Sequence, residues 1–136
     1  MARKGYKEEI DLVKILWDNN FAAIRAPASG GATKKPLPDV IAGNGDKYLA
    51  IEVKTTSKDK IYIDSQKIEG LLKFSKIFGA EAYIGIKFKY KKWLFLPIDD
   101  LEITAQKNYK IDHELALKKG LDIYELIAKE KQIKFE

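Results

Sequence analysis

The chain has 136 residues, 46% of them hydrophobic and 33% charged, which is the size and composition of one globular domain with a substantial core. It has no cysteine and a single histidine, so disulfides, thiolate metal sites, thiol nucleophiles and multi-histidine zinc sites are excluded. The formal net charge of +5 favours a polyanionic partner such as nucleic acid.

The first third of the chain predicts a helix, a strand and a long loop. Residues 6–19 carry apolar side chains at helical spacing, beginning with Ile10 and Val13, which predicts an amphipathic helix. The apolar run Phe21–Arg25 predicts a short strand. The segment 26–38 is rich in glycine, alanine and proline, which is typical of a loop.

A β-hairpin is predicted after this loop. Val40–Ala42, entered from Asp39, forms its first strand, and Tyr48–Thr55 forms the returning strand. The turn Gly43–Asp46 has the Gly-Asn-Gly-Asp sequence that tight hairpins favour.

The second half predicts further elements of both types. Asp64 or Ser65 can cap a helix that ends at Gly79, and Asp122 with Glu125 forms a capping box for a last helix. Short extended segments are predicted between and after these caps, at Ile61–Ile63, Ala82–Phe88 and Trp93–Leu96. The order predicts a single α/β domain over residues 1–136, with a mixed central sheet flanked by helices.

Three charged residues on the predicted hairpin carry the chemistry. Glu52 and Lys54 are two apart on a strand, so both project from the same face, and Asp39 can lie beside Glu52. Such a group usually forms a solvated face with a cross-strand ion pair. Here the charges interrupt a strongly apolar strand, where they cost most, which favours a site. Two carboxylates suit a hard cation such as Mg²⁺, and a lysine can orient water or stabilise phosphate charge.

Glu9 is a further candidate for the same site. It shares one helix face with Val13 and Leu16 and therefore points toward the sheet, where a metal could use it. The competing interpretation is a first-turn glutamate that the helix dipole favours.

The sequence resembles the PD-(D/E)xK nuclease superfamily and, within it, the archaeal Holliday junction resolvases. The resemblance extends over nearly the whole chain, from RKGYKEE through RAPASGG, the Pro-Asp of LPDVIAGN and YLAIEVKTT to GLDIYELI. It implies a restriction-endonuclease-like core, with Glu9, Asp39 and Glu52 binding Mg²⁺, or Mn²⁺ as a substitute, and Lys54 as the catalytic lysine. It also implies a role for Ser29 and Arg25 near the junction strand.

Further residues are predicted to contact DNA from their positions around the site. Lys4, Arg25, Lys34 and Lys35 suit phosphate contacts, which position DNA without reading bases. Gln66 follows the catalytic strand on the first turn of the second helix, and it and the adjacent Lys67 could approach the backbone beside the cut.

The resemblance implies a homodimer that nicks two opposed strands of a four-way DNA junction symmetrically. A two-fold dimer matches the near two-fold symmetry of such a junction. Part of the aromatic content of the second helix and the strands after it could form the dimer face. No run approaches the roughly 20 apolar residues that span a bilayer, and the N-terminus does not resemble a signal peptide. We therefore expect a cytoplasmic, nucleoid-associated protein without membrane or small-molecule partners.

Three alternatives remain open at this point. A restriction or repair nuclease of the same superfamily would carry identical catalytic residues and differ in substrate alone. A non-catalytic basic DNA-binding module would be expected to have lost a carboxylate or the lysine. An interaction or structural protein would not bind DNA even at low salt.

Overall fold

The computed structural model describes residues 5–27 and 35–128 of the chain. The elements within these ranges are helix α1 (Tyr6–Asp18), strands β1 (Ala22–Arg25), β2 (Val40–Gly43), β3 (Tyr48–Thr56) and β4 (Lys60–Asp64), helix α2 (Ser65–Phe78), strands β5 (Glu81–Phe88) and β6 (Trp93–Pro97), a short 3-10 helix (Ile98–Asp100), strands β7 (Glu102–Ile103) and β8 (Asn108–Asp112), and helix α3 (His113–Lys119). A further helix, α4, covers residues 123–128.

The central sheet has five strands in the order β1-β2-β3-β5-β6. Strands β3 and β5 are parallel, whereas the other neighbouring pairs are antiparallel. This arrangement confirms the predicted mixed sheet. Each face has its own apolar cluster, one containing Leu12 and Leu16 of α1 and the other containing Ile68 and Leu71 of α2. The two helices therefore cover opposite faces of the sheet.

The hairpin that carries the predicted site forms as expected. Gly45 takes a positive φ of 93°, and the Asn44 side chain accepts hydrogen bonds from the backbone N–H groups of Asp46 and Lys47. The resulting register sets Val40 opposite Ile51. Asp39, one residue earlier, consequently enters the hairpin beside Glu52.

Lys47 anchors the hairpin turn to the C-terminal helix. Its side chain is buried, and its ammonium donates a hydrogen bond of 2.9 Å to the backbone carbonyl of Leu126 in α4. The Glu81 carboxylate lies 3.9 Å from the same ammonium. A buried lysine needs such partners, because an unpaired charge in the interior is very costly.

The predicted helix caps are confirmed. Asp64 accepts a hydrogen bond of 2.7 Å from the backbone N–H of Gln66 at the start of α2, and Gly79 ends that helix with a φ of 88°. At α4, the side chains of Asp122 and Glu125 accept reciprocal hydrogen bonds from each other's backbone N–H groups.

The sequence did not predict a second, three-stranded sheet in the order β4-β8-β7 or the helix α3. The extended segment expected at Ile61–Ile63 is the middle of β4, which pairs with the distant β8. Within the ranges described, no helix is long and apolar enough to cross a membrane.

Candidate active site

Asp39 is fixed at the entrance of the hairpin by backbone hydrogen bonds. Its N–H donates to the carbonyl of Ile51 at 3.0 Å, and its own carbonyl accepts from the N–H of Ala26 at 2.9 Å. Its carboxylate oxygen Oδ2 accepts a hydrogen bond of 2.8 Å from the N–H of Val53. Both the backbone and the carboxylate are therefore attached to β3, and the carboxylate stays beside Glu52.

Glu52 and Lys54 project together from β3, as the alternation predicted. The Lys54 ammonium lies 3.7 Å from the Oε2 atom of Glu52. Ile51, which precedes Glu52, and Val53, which lies between Glu52 and Lys54, are buried in the cluster on the opposite face. The Glu52 side chain is 9% exposed and that of Lys54 is 33% exposed, so the glutamate is more deeply buried than the lysine.

The pKa of Glu52 is raised from 4.5 to about 7. Burial is the largest cause, followed by the negative charge of Asp39, while the charges of Lys54 and Lys67 lower this pKa. Two carboxylates in a partly dry site repel each other unless a proton or a cation lies between them. The pair is therefore suited to bind a positive charge.

The carboxylate pair opens into a cavity of about 590 Å³. Its walls come from three parts of the chain: the segment around Ala26 and Pro27, the segment that leads into Asp39, and the first turns of α2. The lining residues are Ala26, Pro27, Lys35, Pro36, Leu37, Pro38, Asp39, Glu52, Asp64, Gln66, Lys67, Gly70 and Leu71. A space of this size, lined by acidic and basic groups, can admit a phosphodiester.

Gly70 is where α2 meets the segment that leads into Asp39. A Cβ atom at Gly70 would lie 2.9 Å from the Cβ of Pro36, closer than such atoms normally approach. The absence of a side chain thus lets α2 and this segment pack directly. No pattern in the sequence distinguishes Gly70 or Pro36, because the contact joins two elements far apart in the chain.

Glu9 lies in the first turn of α1. It is 2% exposed, which agrees with its predicted core-facing position, and its Oε1 atom is 3.1 Å from the Nε of Arg25. The Arg25 guanidinium also stacks 4.4 Å above the ring of Tyr6. Among the residues that the structure describes, no group of three or more histidines, cysteines or acids is arranged to hold a metal ion. The predicted grouping of Glu9 with Asp39 and Glu52 therefore stays a prediction.

The other predicted DNA contacts divide into two groups. Lys35 and Gln66 line the cavity, and Arg25 lies at the end of β1, with its backbone beside that of Val40. Lys4, Ser29 and Lys34 fall outside the described residues. Asp64, which was predicted only as a helix cap, also lines the cavity.

The comparisons with known proteins agree with this fold. A family model described as archaeal Holliday junction resolvase (Hjc) matches residues 1–135. The chain is 45% identical to the crossover junction endodeoxyribonuclease Hjc of Archaeoglobus fulgidus over 135 residues, which cover 99% of this chain and 97% of the relative. It is 39% identical to the protein of the same name from Methanocaldococcus jannaschii, over 98% of this chain and 94% of the relative.

A solved structure matches the fold equally well. The 1.6 Å structure of Archaeoglobus fulgidus Hjc, a Holliday junction resolvase from an archaeal hyperthermophile, aligns with a TM-score of 0.83 and 41% identity. The alignment covers 93% of this chain and 97% of that one. Because the family model, the curated relatives and the solved structure all match over nearly the whole chain, the chain belongs to the archaeal Holliday junction resolvase family.

Proposed function

We propose that this protein is a metal-dependent endonuclease that resolves four-way DNA junctions by paired, symmetric nicks. The observation that carries the proposal is the pair of carboxylates, Asp39 and Glu52, that lines one cavity, with the Lys54 ammonium 3.7 Å from Glu52. Membership of a family whose curated members are named crossover junction endodeoxyribonucleases supports the junction as substrate. A chromosomal substrate also supports an association with the nucleoid.

The donor set fits Mg²⁺, with Mn²⁺ as a substitute. Hard cations prefer carboxylate oxygens, and burial together with the charge of Asp39 raises the pKa of Glu52, so a cation between the two carboxylates would be favoured. Asp39 and Glu52 would bind the ion, with Glu9 contributing directly or through water. When bound, the ion would supply Lewis acidity to the phosphate.

The residues of the chain supply the remaining chemistry. Lys54, partly exposed and 3.7 Å from Glu52, can donate hydrogen bonds to the attacking water and to a phosphate oxygen. The backbone hydrogen bond from Val53 fixes the orientation of Asp39, so the two carboxylates are in place before DNA arrives. Hydrolysis by in-line attack would leave 5′-phosphate and 3′-hydroxyl ends.

DNA binding would use cationic and polar side chains around the cavity. Lys35 and Gln66 line it, and Arg25 is ion-paired and stacked nearby at the end of β1. Lys4, Ser29 and Lys34 are proposed as additional contacts from the sequence. Because phosphate contacts release counterions, binding should weaken steeply as salt rises.

A homodimer would use one apolar patch, which we define as Ile24, Ile41, Tyr48, Phe74 and Phe78. The register sets Ile24 opposite Ile41 and Ile41 opposite Ala50, which belongs to the cluster under α2. These side chains therefore share the α2 face of the sheet, yet Ile24 is 62% exposed and Tyr48 is 41% exposed.

The remaining part of the patch lies on α2. Gly70, Phe74 and Phe78 are spaced four apart, so they form one stripe of the helix, on the flank that meets Pro36. The rings of Phe74 and Phe78 stack 5.2 Å apart, and Phe78 is 52% exposed. An exposed apolar surface of this kind supports pairing with a second copy, which would present two active sites to a two-fold junction.

The proposal is tested by comparing cleavage of a synthetic four-way junction with cleavage of linear duplexes of the same sequences. We expect paired nicks on the junction with Mg²⁺ or Mn²⁺, none with EDTA, and no cleavage of the duplex. Asp39→Asn should abolish the nicks, whereas Asp99→Asn, an exposed acid distant in sequence from the site, should cleave like the wild type.

Two results would contradict the proposal in different ways. Equal cleavage of linear duplex would leave a nuclease without junction selectivity, as in the restriction or repair alternative. Tight junction binding by the wild type without cleavage under any divalent cation would favour the non-catalytic binding module.

A further inference from the structure

Lys67 occupies the wall of the cavity that faces the catalytic strand. It lies on the first turn of α2 and lines the same cavity as Asp39 and Glu52. The turn is held firmly, because Asp64 caps the helix and the neighbouring Ile68 and Leu71 are buried against the sheet. The base of the Lys67 side chain is thus fixed relative to the carboxylates, while its end is exposed.

The two lysines at the site differ in their partners. The Lys54 ammonium lies 3.7 Å from Glu52. For Lys67, no carboxylate in the ranges the structure describes lies within ion-pair distance. Its charge still acts on Glu52, whose pKa it lowers, so the ammonium is near the acidic pair without being neutralised by it. The positive charge of Lys67 remains available to an anion that enters the cavity.

We propose that Lys67 is a second cationic residue of the active site, which binds a phosphate of the cleaved strand from the α2 side of the cavity. The inference rests on the proposed nuclease function and adds a residue to it. Two carboxylates repel a phosphodiester, and the charge of Lys54 is partly offset by Glu52. A second ammonium on the α2 side attracts the phosphate and limits the directions in which it can lie.

The first readout is the salt dependence of junction binding, measured by fluorescence anisotropy in EDTA from about 50 to about 200 mM salt. Each lost phosphate contact reduces the slope of log affinity against log salt by about 0.9. We expect Lys67→Gln to show this reduction and Lys67→Arg, which keeps the charge, to show little change. A purely structural role would leave the slope unchanged.

The second readout is the single-turnover cleavage rate with Mg²⁺ at saturating protein. A charge-assisted hydrogen bond corresponds to about a 10- to 100-fold change, so Lys67→Gln should cleave at least about tenfold more slowly. Lys73→Gln is the matched control, because Lys73 is also exposed on α2 but does not line the cavity. It should retain the wild-type rate and slope. Thermal unfolding of each variant verifies that the fold is intact.

A Lys67→Gln variant that matches Lys73→Gln in both slope and rate would overturn the proposal. So would a Lys67→Arg variant as impaired as Lys67→Gln, because the charge would then not be the cause. Failure of the proposed function is a separate result, since it would be seen in the wild type as an absence of junction cleavage.

Discussion

Asp39 and Glu52 lie side by side at the open end of the β2–β3 hairpin, and the negative charge of Asp39 contributes to the raised pKa of Glu52. The hydrogen bond from the Val53 N–H keeps the Asp39 carboxylate in this position. The two carboxylates therefore repel each other when both are ionised, and a bound proton or cation reduces this repulsion. Two predictions about stability follow from this relationship.

The first concerns pH in the absence of metal. The pKa of Glu52 is about 7 in the folded protein against an ordinary value of 4.5, so between these limits the folded protein binds a proton that the unfolded chain releases. The stability that depends on this proton is complete below pH 4.5 and is lost as the pH rises through 7. Glutamine is neutral at every pH. We therefore expect the free energy of unfolding of Glu52→Gln to exceed that of the wild type by up to about 3 kcal/mol above this window and to match it below.

Urea unfolding across the pH range measures this difference. Glu69→Gln, an exposed position on α2, is the control and should follow the wild type at every pH. A stability difference between Glu52→Gln and the wild type that does not vary with pH would contradict the assigned pKa.

The second prediction concerns metal binding. Mg²⁺ that binds the folded state alone should stabilise it by about 2.7 kcal/mol at 100 times its dissociation constant. We expect thermal unfolding above pH 7 to show this increase in the wild type and in Asp99→Asn, but not in Asp39→Asn. The increase should shrink as the pH falls below 7, because protons compete for Glu52. Equal stabilisation of Asp39→Asn would show that the ion binds elsewhere.

Gly70 should be sensitive to a single methyl group. Gly→Ala within a helix normally stabilises by about 1 kcal/mol, but here the new Cβ would meet Pro36 at 2.9 Å. The segment that ends at Asp39 would have to move, so we expect junction cleavage to fall by about tenfold or more, as a 1 Å misplacement of a catalytic group does. Glu69→Ala, at the neighbouring exposed position, should cleave normally. Full activity in Gly70→Ala would mean that this segment adapts without moving Asp39.

We expect Tyr6 to affect junction binding by holding the Arg25 side chain in place. The guanidinium stacks 4.4 Å from the ring, and a cation–π contact of this kind stabilises by about 0.5–2 kcal/mol. We expect Tyr6→Ala to weaken junction binding severalfold and Tyr6→Phe to bind like the wild type, as measured by anisotropy in EDTA. Tyr124→Ala, at a site 72% exposed, is the control. Unchanged binding by Tyr6→Ala would show that the stacking of Arg25 on Tyr6 does not contribute to junction affinity.

The proposed dimer patch can be tested with one isoleucine inside the patch and one leucine outside it that have nearly the same exposure. Ile24, within the patch, is 62% exposed, and Leu117 on α3 is 61% exposed. A charge introduced into an apolar interface is strongly destabilising, so we expect Ile24→Asp to sediment as a monomer. Leu117→Asp should remain a dimer like the wild type. A dimer that persists in Ile24→Asp would exclude this patch as the interface.

Local patterns in the sequence predicted how the hairpin residues are arranged. They did not predict which distant elements pack against each other. The alternation of Glu52 with Val53 fixed which face carries the acid, and the turn at Gly43–Asp46 fixed the neighbour of that strand, so both features are confirmed. Glu9 was predicted to face the core and is buried, but its pairing with Arg25 depends on where β1 packs against α1. No local pattern contains that information.

The second sheet shows the same limit. Tyr62 of β4 pairs with Lys110 of β8, and two short strands so far apart in sequence carry no signal of their pairing. Helix α3 did leave a local signal, because Asp112 accepts a hydrogen bond from the N–H of Leu115. An aspartate before a short amphipathic run could have revealed that helix.

Paired cleavage at a four-way junction can be measured with a supercoiled plasmid that extrudes a cruciform. Two coupled, symmetric nicks at the cruciform convert the plasmid into linear DNA, whereas independent nicks produce open circles first. We predict linear product with Mg²⁺ and almost no open-circle intermediate for the wild type, and neither product for Asp39→Asn. Accumulation of open circles, or equal cleavage of a plasmid without the inverted repeat, would show that the protein does not resolve junctions by paired nicks.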